Sequence, residues 1–146
     1  MKKYQSYERK DPDKVCREIK EGMGIPHPER VVGFFGLLFS PGDVYISDHV
    51  DFLLQSRPGF DAFLKDSLQR FVNDDYGDIS EWDREDNIEL KWLGPGIGLF
   101  ARYCFEDADW EYKAVTVKIR TLEHYTYIAL EGELDPLMDS RPAGGN

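Results

Sequence analysis

As far as Gly94-Pro95 the apolar residues of this chain recur every three or four positions, and beyond that point they alternate. This change of period constrains the fold more than any other feature, because helices and half-buried strands need different spacings. Phe60, Phe63, Leu64, Leu68, Phe71 and Val72 make one continuous stripe at helical spacing, which predicts an amphipathic helix closed by the turn residues 73–77. Ser47 is placed to cap a shorter helix that ends before Pro58. Ser80, with Asp83 three residues on, resembles a capping box and opens a helix running to about Leu93. After Gly94-Pro95, Ile97, Leu99, Ala101, Tyr103 and Phe105 alternate with other residues, as do Val115, Val117 and Ile119, and then Thr126, Ile128 and Leu130. Polar turns near "EDADW" and "RTLEH" join these three runs, which predicts an antiparallel meander.

The N-terminal part is less regular. Asp11, Pro12 and Gly22 carry the start and stop signals of a short helix. "VVGFFGLLF", residues 31–39, is too short and too aromatic for a helix and reads as a buried strand, with "DVYI" as its hairpin partner. At nine residues it is also far short of a bilayer span. The expectation is an α+β fold: an antiparallel sheet of about four to five strands with three to four helices packed on one face. Its parts are a basic N-terminal arm with a short helix (1–30), a single domain (31–134) and a flexible tail (135–146).

Charge narrows the function classes. The net charge of −10 is uneven, since residues 1–20 hold seven Lys/Arg against four Asp/Glu and the remainder therefore carries −13. Such a body repels phosphate backbones, so direct nucleic-acid binding is not expected, whereas a basic protein partner is. Cys16 and Cys104 form no C-x-x-C pair, and both read as buried reduced thiols, which with no signal peptide in view points to the cytoplasm.

The densest acidity lies in "DDYGDISEWDREDNIE", where residues 74–89 hold eight carboxylates against Arg84. No register of this stretch fits a calcium loop: starting at Asp74 puts Tyr76 at the third position and Ile79 at the sixth. His27, His49 and His124 are scattered, and "GPGIG" has the wrong spacing for a phosphate loop. No catalytic, cofactor or metal residues are therefore assigned, although Asp74, Asp75 and Asp78 would serve a small metal-dependent enzyme as an alternative. Helix-dipole and capping effects account for Glu81, Asp83 and Glu85. They leave Asp74, Asp75, Asp78, Asp86 and Glu89 unexplained. With Tyr76 as a central aromatic, these form the expected partner-binding surface, presented to Lys/Arg-rich sites. Trp82 reads equally well as a core residue, so Tyr76 is the aromatic assigned to that surface.

"DYGDISEWDREDN" resembles a family of small bacterial proteins carried on plasmids, conjugative elements and phages, with the pattern D-[YW]-G-D-x-x-x-x-D-x-x-x-N. The matching positions are Asp75, Tyr76, Gly77, Asp78, Asp83 and Asn87. The likeness extends roughly over residues 35–133, though "VTVKIRTLEHYTYIAL" lacks the family's Asp-Arg pair. It implies a mobile-element setting and a small α+β fold, and it implies no catalytic residues. Together with the acidic surface it gives the expected function: a non-enzymatic inhibitor of a host nucleic-acid-binding defence enzyme, of anti-CRISPR or anti-restriction type. An accessory protein of conjugation or replication is the other non-enzymatic alternative.

Overall fold

A computed structural model describes residues 1–7, 43–73, 75–93, 98–123 and 125–136. The expected helix at 11–22, the strand at 31–39, Cys16, His27, Asp74, Ile97, His124 and residues 137–146 lie outside the described residues. In chain order the described elements are β1 (Lys2–Lys3), β2 (Val44–Ile46), α1 (Asp48–Ser56), α2 (Phe60–Val72), α3 (Glu81–Leu93), β3 (Phe100–Glu106), β4 (Ala114–Thr121) and β5 (Thr126–Leu130). The fold is α+β, as the change of period predicts.

The sheet runs in the order β1-β2-β5-β4-β3. β3, β4 and β5 form the expected antiparallel meander, with Tyr103 opposite Val117 and Ile119 opposite Ile128. Two details differ from expectation. β2 runs parallel to β5 and antiparallel to β1, so its described neighbours lie far from it in sequence rather than in an adjacent hairpin. The N-terminus does not begin as a separate arm either: Lys2 and Lys3 pair with Ile46 and Tyr45, and Tyr4 is buried, its hydroxyl donating to Asp61 Oδ1 at 2.6 Å. A short, lysine-bearing strand suits a sheet edge, where it discourages pairing with other chains.

The core follows the two periods. From α2, Phe60, Leu64, Leu68 and Phe71 are buried against Ala101, Tyr103 and Phe105 of β3, Val117 and Ile119 of β4, and Ile128 of β5. Phe105 meets Phe60 and Phe63 edge-on, with ring centroids 5.1 and 5.2 Å apart. Ser47 caps α1 by accepting from the Val50 N–H at 3.2 Å, which fixes where that helix starts. A second cluster of Tyr45, Leu122, Tyr125, Tyr127 and Ala129 is buried too. Burial, its largest cause, pushes the Tyr127 phenol up to about 12. Cys104, expected inside, is exposed, because it occupies an even position of β3 while Ala101, Tyr103 and Phe105 take the core-facing odd ones.

Candidate functional site

β3 is the last of the described strands in the sheet, so half of its backbone N–H and C=O groups have no described strand to pair with. The "DYGD" segment supplies partners for them. Tyr76 C=O accepts from Arg102 N–H at 3.1 Å, and Asp78 N–H donates to Arg102 C=O at 2.9 Å. Gly77 lies directly beside Arg102 and holds φ at +70°, and a Cβ there would sit 2.0 Å from the Arg102 carbonyl oxygen. Only glycine allows this approach.

Asp75 fixes the segment from upstream. Its carboxylate accepts from Arg70 Nε at 2.6 Å and Nη2 at 3.2 Å, and from the Gly77 N–H at 3.2 Å. The Arg70 guanidinium, as the largest cause, holds this carboxyl below the usual range, and Asp75 in turn raises Arg70. Arg70 also stacks over the Tyr103 ring at 4.8 Å, while the Tyr103 hydroxyl donates to the Asp75 carbonyl at 2.6 Å. Two residues earlier on β3, at Phe100, Asn87 completes the cover of the edge. It is 1% exposed, donates to Phe100 C=O at 2.7 Å and accepts from Phe100 N–H at 3.0 Å. Half of the expected capping box is present: Ser80 Oγ accepts from Asp83 N–H at 3.1 Å, but the Asp83 carboxylate accepts from the Ser80 hydroxyl at 3.0 Å rather than from its backbone N–H. Every position of the pattern except Asp78's side chain thus has a structural task.

This reassigns the expected partner-binding residues. Tyr76 does not belong to an exposed surface: it is 3% exposed and meets Phe71 edge-on in the core, because the strand-like segment turns its side chain inward where Gly77 touches β3. Asp75 is exposed but committed to Arg70. Asp74 lies outside the described residues. Asp78, Asp86 and Glu89 are exposed, and their carboxylates, like that of Glu85, make no hydrogen bond or ion pair among the described residues. Asp86 and Glu89 lie one turn apart on α3, exposed at the mouth of the cleft between that helix and the sheet.

The aromatic missing from that flank of α3 is Trp82, which is 75% exposed and shares the spacing 82, 86, 89. Ile88, on the same helix, is half exposed. The sequence does carry a signal for this. Asp83, Asn87 and Leu90 mark one side of α3, and Trp82 falls off it. Between α3 and the sheet lies a cleft of about 460 Å³, lined on the helix side by Asp83, Asp86, Asn87 and Glu89 and on the sheet side by Phe100 and Arg120.

Among the described residues no three His, Cys, Asp or Glu side chains are grouped so as to hold a metal ion. No described helix is long and apolar enough to cross a membrane. Comparison of the chain with protein-family models, with curated proteins and with solved structures gives no match.

Proposed function

We propose that the chain is a non-enzymatic interaction protein of a phage or other mobile element. It docks through the exposed flank of α3 that carries Trp82, Asp86 and Glu89 on the Lys/Arg-rich surface of a host nucleic-acid-binding defence enzyme in the cytoplasm. The observation that carries this reading is the company Trp82 keeps: a tryptophan 75% exposed on the same flank of the helix as exposed carboxylates that form no ion pair among the described residues. Large exposed aromatics cost solubility and recur as anchors at the centre of interfaces. The surrounding acids would select a basic partner and compete with nucleic acid for its cations. The mobile-element setting rests on the "DYGD" resemblance alone.

The test is capture of a CRISPR effector or restriction enzyme from the same host, with and without excess target DNA. Binding should weaken as salt rises and be lost when Asp78, Asp86 and Glu89 are all changed to Lys, while the fold survives. Trp82→Ala should weaken binding by at least about 2 kcal/mol, the size of an interface hot spot. A target that binds the triple-Lys variant as tightly as the native chain would show these carboxylates to be a solvated face and nothing more.

A further inference from the structure

The side of β3 and β4 facing away from α2 concentrates positive charge in a chain of net charge −10. Arg102 stands directly opposite Lys118 across the two strands, and Arg120 follows two residues along β4, opposite Phe100. Like charges placed opposite each other on one sheet face repel, so this arrangement needs an anion to be stable. The chain provides its own. After β5, residues 131–135 fold back across these cations as a strap.

Glu131 lies against Arg102 and Asp135 against Lys118 and Arg120, while the Lys118 ammonium also donates to the Glu133 carbonyl. The Glu133 carboxylate is used elsewhere, by Ser47, His49 and the Leu130 N–H. Within the strap, two carboxylates therefore answer three cations, while Arg120 also borders the cleft that Asp83, Asp86 and Glu89 line from α3.

The strap also fits these cations imperfectly. Arg102 Nε is 3.1 Å from Glu131 Oε2 but out of line for a hydrogen bond, so charge alone holds it. Asp135 Oδ1, 3.3 Å from Lys118 Nζ, likewise makes no hydrogen bond. Only Arg120 Nε to Asp135 Oδ2, at 3.0 Å, is a well-formed charged hydrogen bond. The two guanidinium groups meanwhile hold fixed positions over the Phe100 ring, at 4.5 Å for Arg120 and 5.3 Å for Arg102. Such a row is preorganised to take an anion richer in oxygen than a carboxylate.

We propose that Arg102, Lys118 and Arg120 form a latent binding site for a chain of phosphate groups, held shut by the strap carboxylates of Glu131 and Asp135. The spacing favours several linked phosphates over one, since Lys118 and Arg120 are two strand residues apart, about 7 Å. Both a nucleic-acid backbone and a free polyphosphate carry that chemistry.

The test uses the full chain with Glu131→Gln and Asp135→Asn, and two probes: inorganic tripolyphosphate and a fluorescein-labelled single-stranded oligonucleotide. The double variant should bind at least one of them ten-fold or more tighter than the native chain, and the probe that gains more identifies the source of phosphate. Adding Lys118→Gln to the double variant should remove the gain. Asp66→Asn with Glu111→Gln changes net charge by the same amount at residues outside the strap and its three cations, and should give none. No gain in the double variant for either probe, the same gain in the distant control, or a gain that survives Lys118→Gln would each overturn the site. Should the double variant fail to fold, the native chain decides. Saturating tripolyphosphate should speed hydrogen exchange at the Leu130 N–H, which the strap protects through Glu133, and unchanged exchange overturns the proposal.

Discussion

Replacing Gly77 with alanine separates two ways in which a glycine can be required. At φ +70° the new side chain would first strain the backbone, by about 1–2 kcal/mol for a left-handed residue. Its Cβ would then meet the Arg102 carbonyl oxygen at 2.0 Å and the Tyr103 ring at 2.8 Å, neither of which can yield without moving β3. The bonds from Asp78 N–H to Arg102 C=O and from Arg102 N–H to Tyr76 C=O would be lost as the segment lifts, costing about 0.5–1.5 kcal/mol each. The expected loss is about 2–5 kcal/mol, a large part of the roughly 5–15 kcal/mol that holds a domain folded. Urea titration of the native chain and the variant would measure it, with the midpoint falling at unchanged slope. Gly132→Ala is the control, because its φ is +94° and nothing lies within 4 Å of the new Cβ, so only backbone strain applies. If Gly77→Ala costs no more than Gly132→Ala, the close approach to β3 is not what requires glycine, and the edge-covering role assigned to "DYGD" fails.

Asn87→Ala should cost about 2–5 kcal/mol in the same titration, because both Phe100 backbone groups lose a buried partner at once. Leu64→Ala, at a position 0% exposed in the centre of α2, should cost about 2–5 kcal/mol, and a near-neutral result would contradict the helix's core role. Stability should also fall in acid. Asp61 is lowered chiefly by the Tyr4 hydroxyl, Asp75 by Arg70 and Asp107 by Arg57, while at Glu133 burial is outweighed by the Leu130 N–H, His49 and Ser47. Folded values below unfolded ones mean that this stabilisation is complete above about pH 4 and is lost as pH falls through the lower folded values. Melting temperatures followed from pH 6 downward should show the decline, and Asp75→Asn should flatten it.

Periodicity made α2 and the meander legible because their burial is one-sided: Phe60, Leu64, Leu68 and Phe71 on one, Tyr103 and Phe105 on the other, repeat at spacings that only one geometry satisfies. The parallel pairing of β2 with β5 was not legible. Three residues carry no register information about a strand some eighty positions away, and "VYI" is buried along its whole length, so it has no alternation to read. The acidic stretch misled for a different reason. Charge counting treats Asp75, Asp78, Asp86 and Glu89 alike, yet Arg70, five residues before Asp75, pairs with one of them and cancels its charge. Tyr76 follows from Gly77: a backbone pressed against β3 fixes which way its neighbour's side chain points, and composition does not show that contact.

The same contacts explain why Trp82 stays outside. Turning α3 to bury the indole would gain about 1.5–3 kcal/mol, the usual worth of a large apolar side chain. The turn would pull Asn87 away from β3 and strand the N–H and C=O of Phe100, at about 1–3 kcal/mol each, besides the Asn87 amide itself. The polar anchor therefore outweighs the apolar gain, and the helix settles with Trp82, Asp86 and Glu89 facing water. Exposure of the tryptophan is thus imposed by how the sheet edge is closed. A surface fixed in this way needs no rearrangement to meet a partner, so an interface built on it avoids part of the ordering cost that flexible surfaces incur on binding.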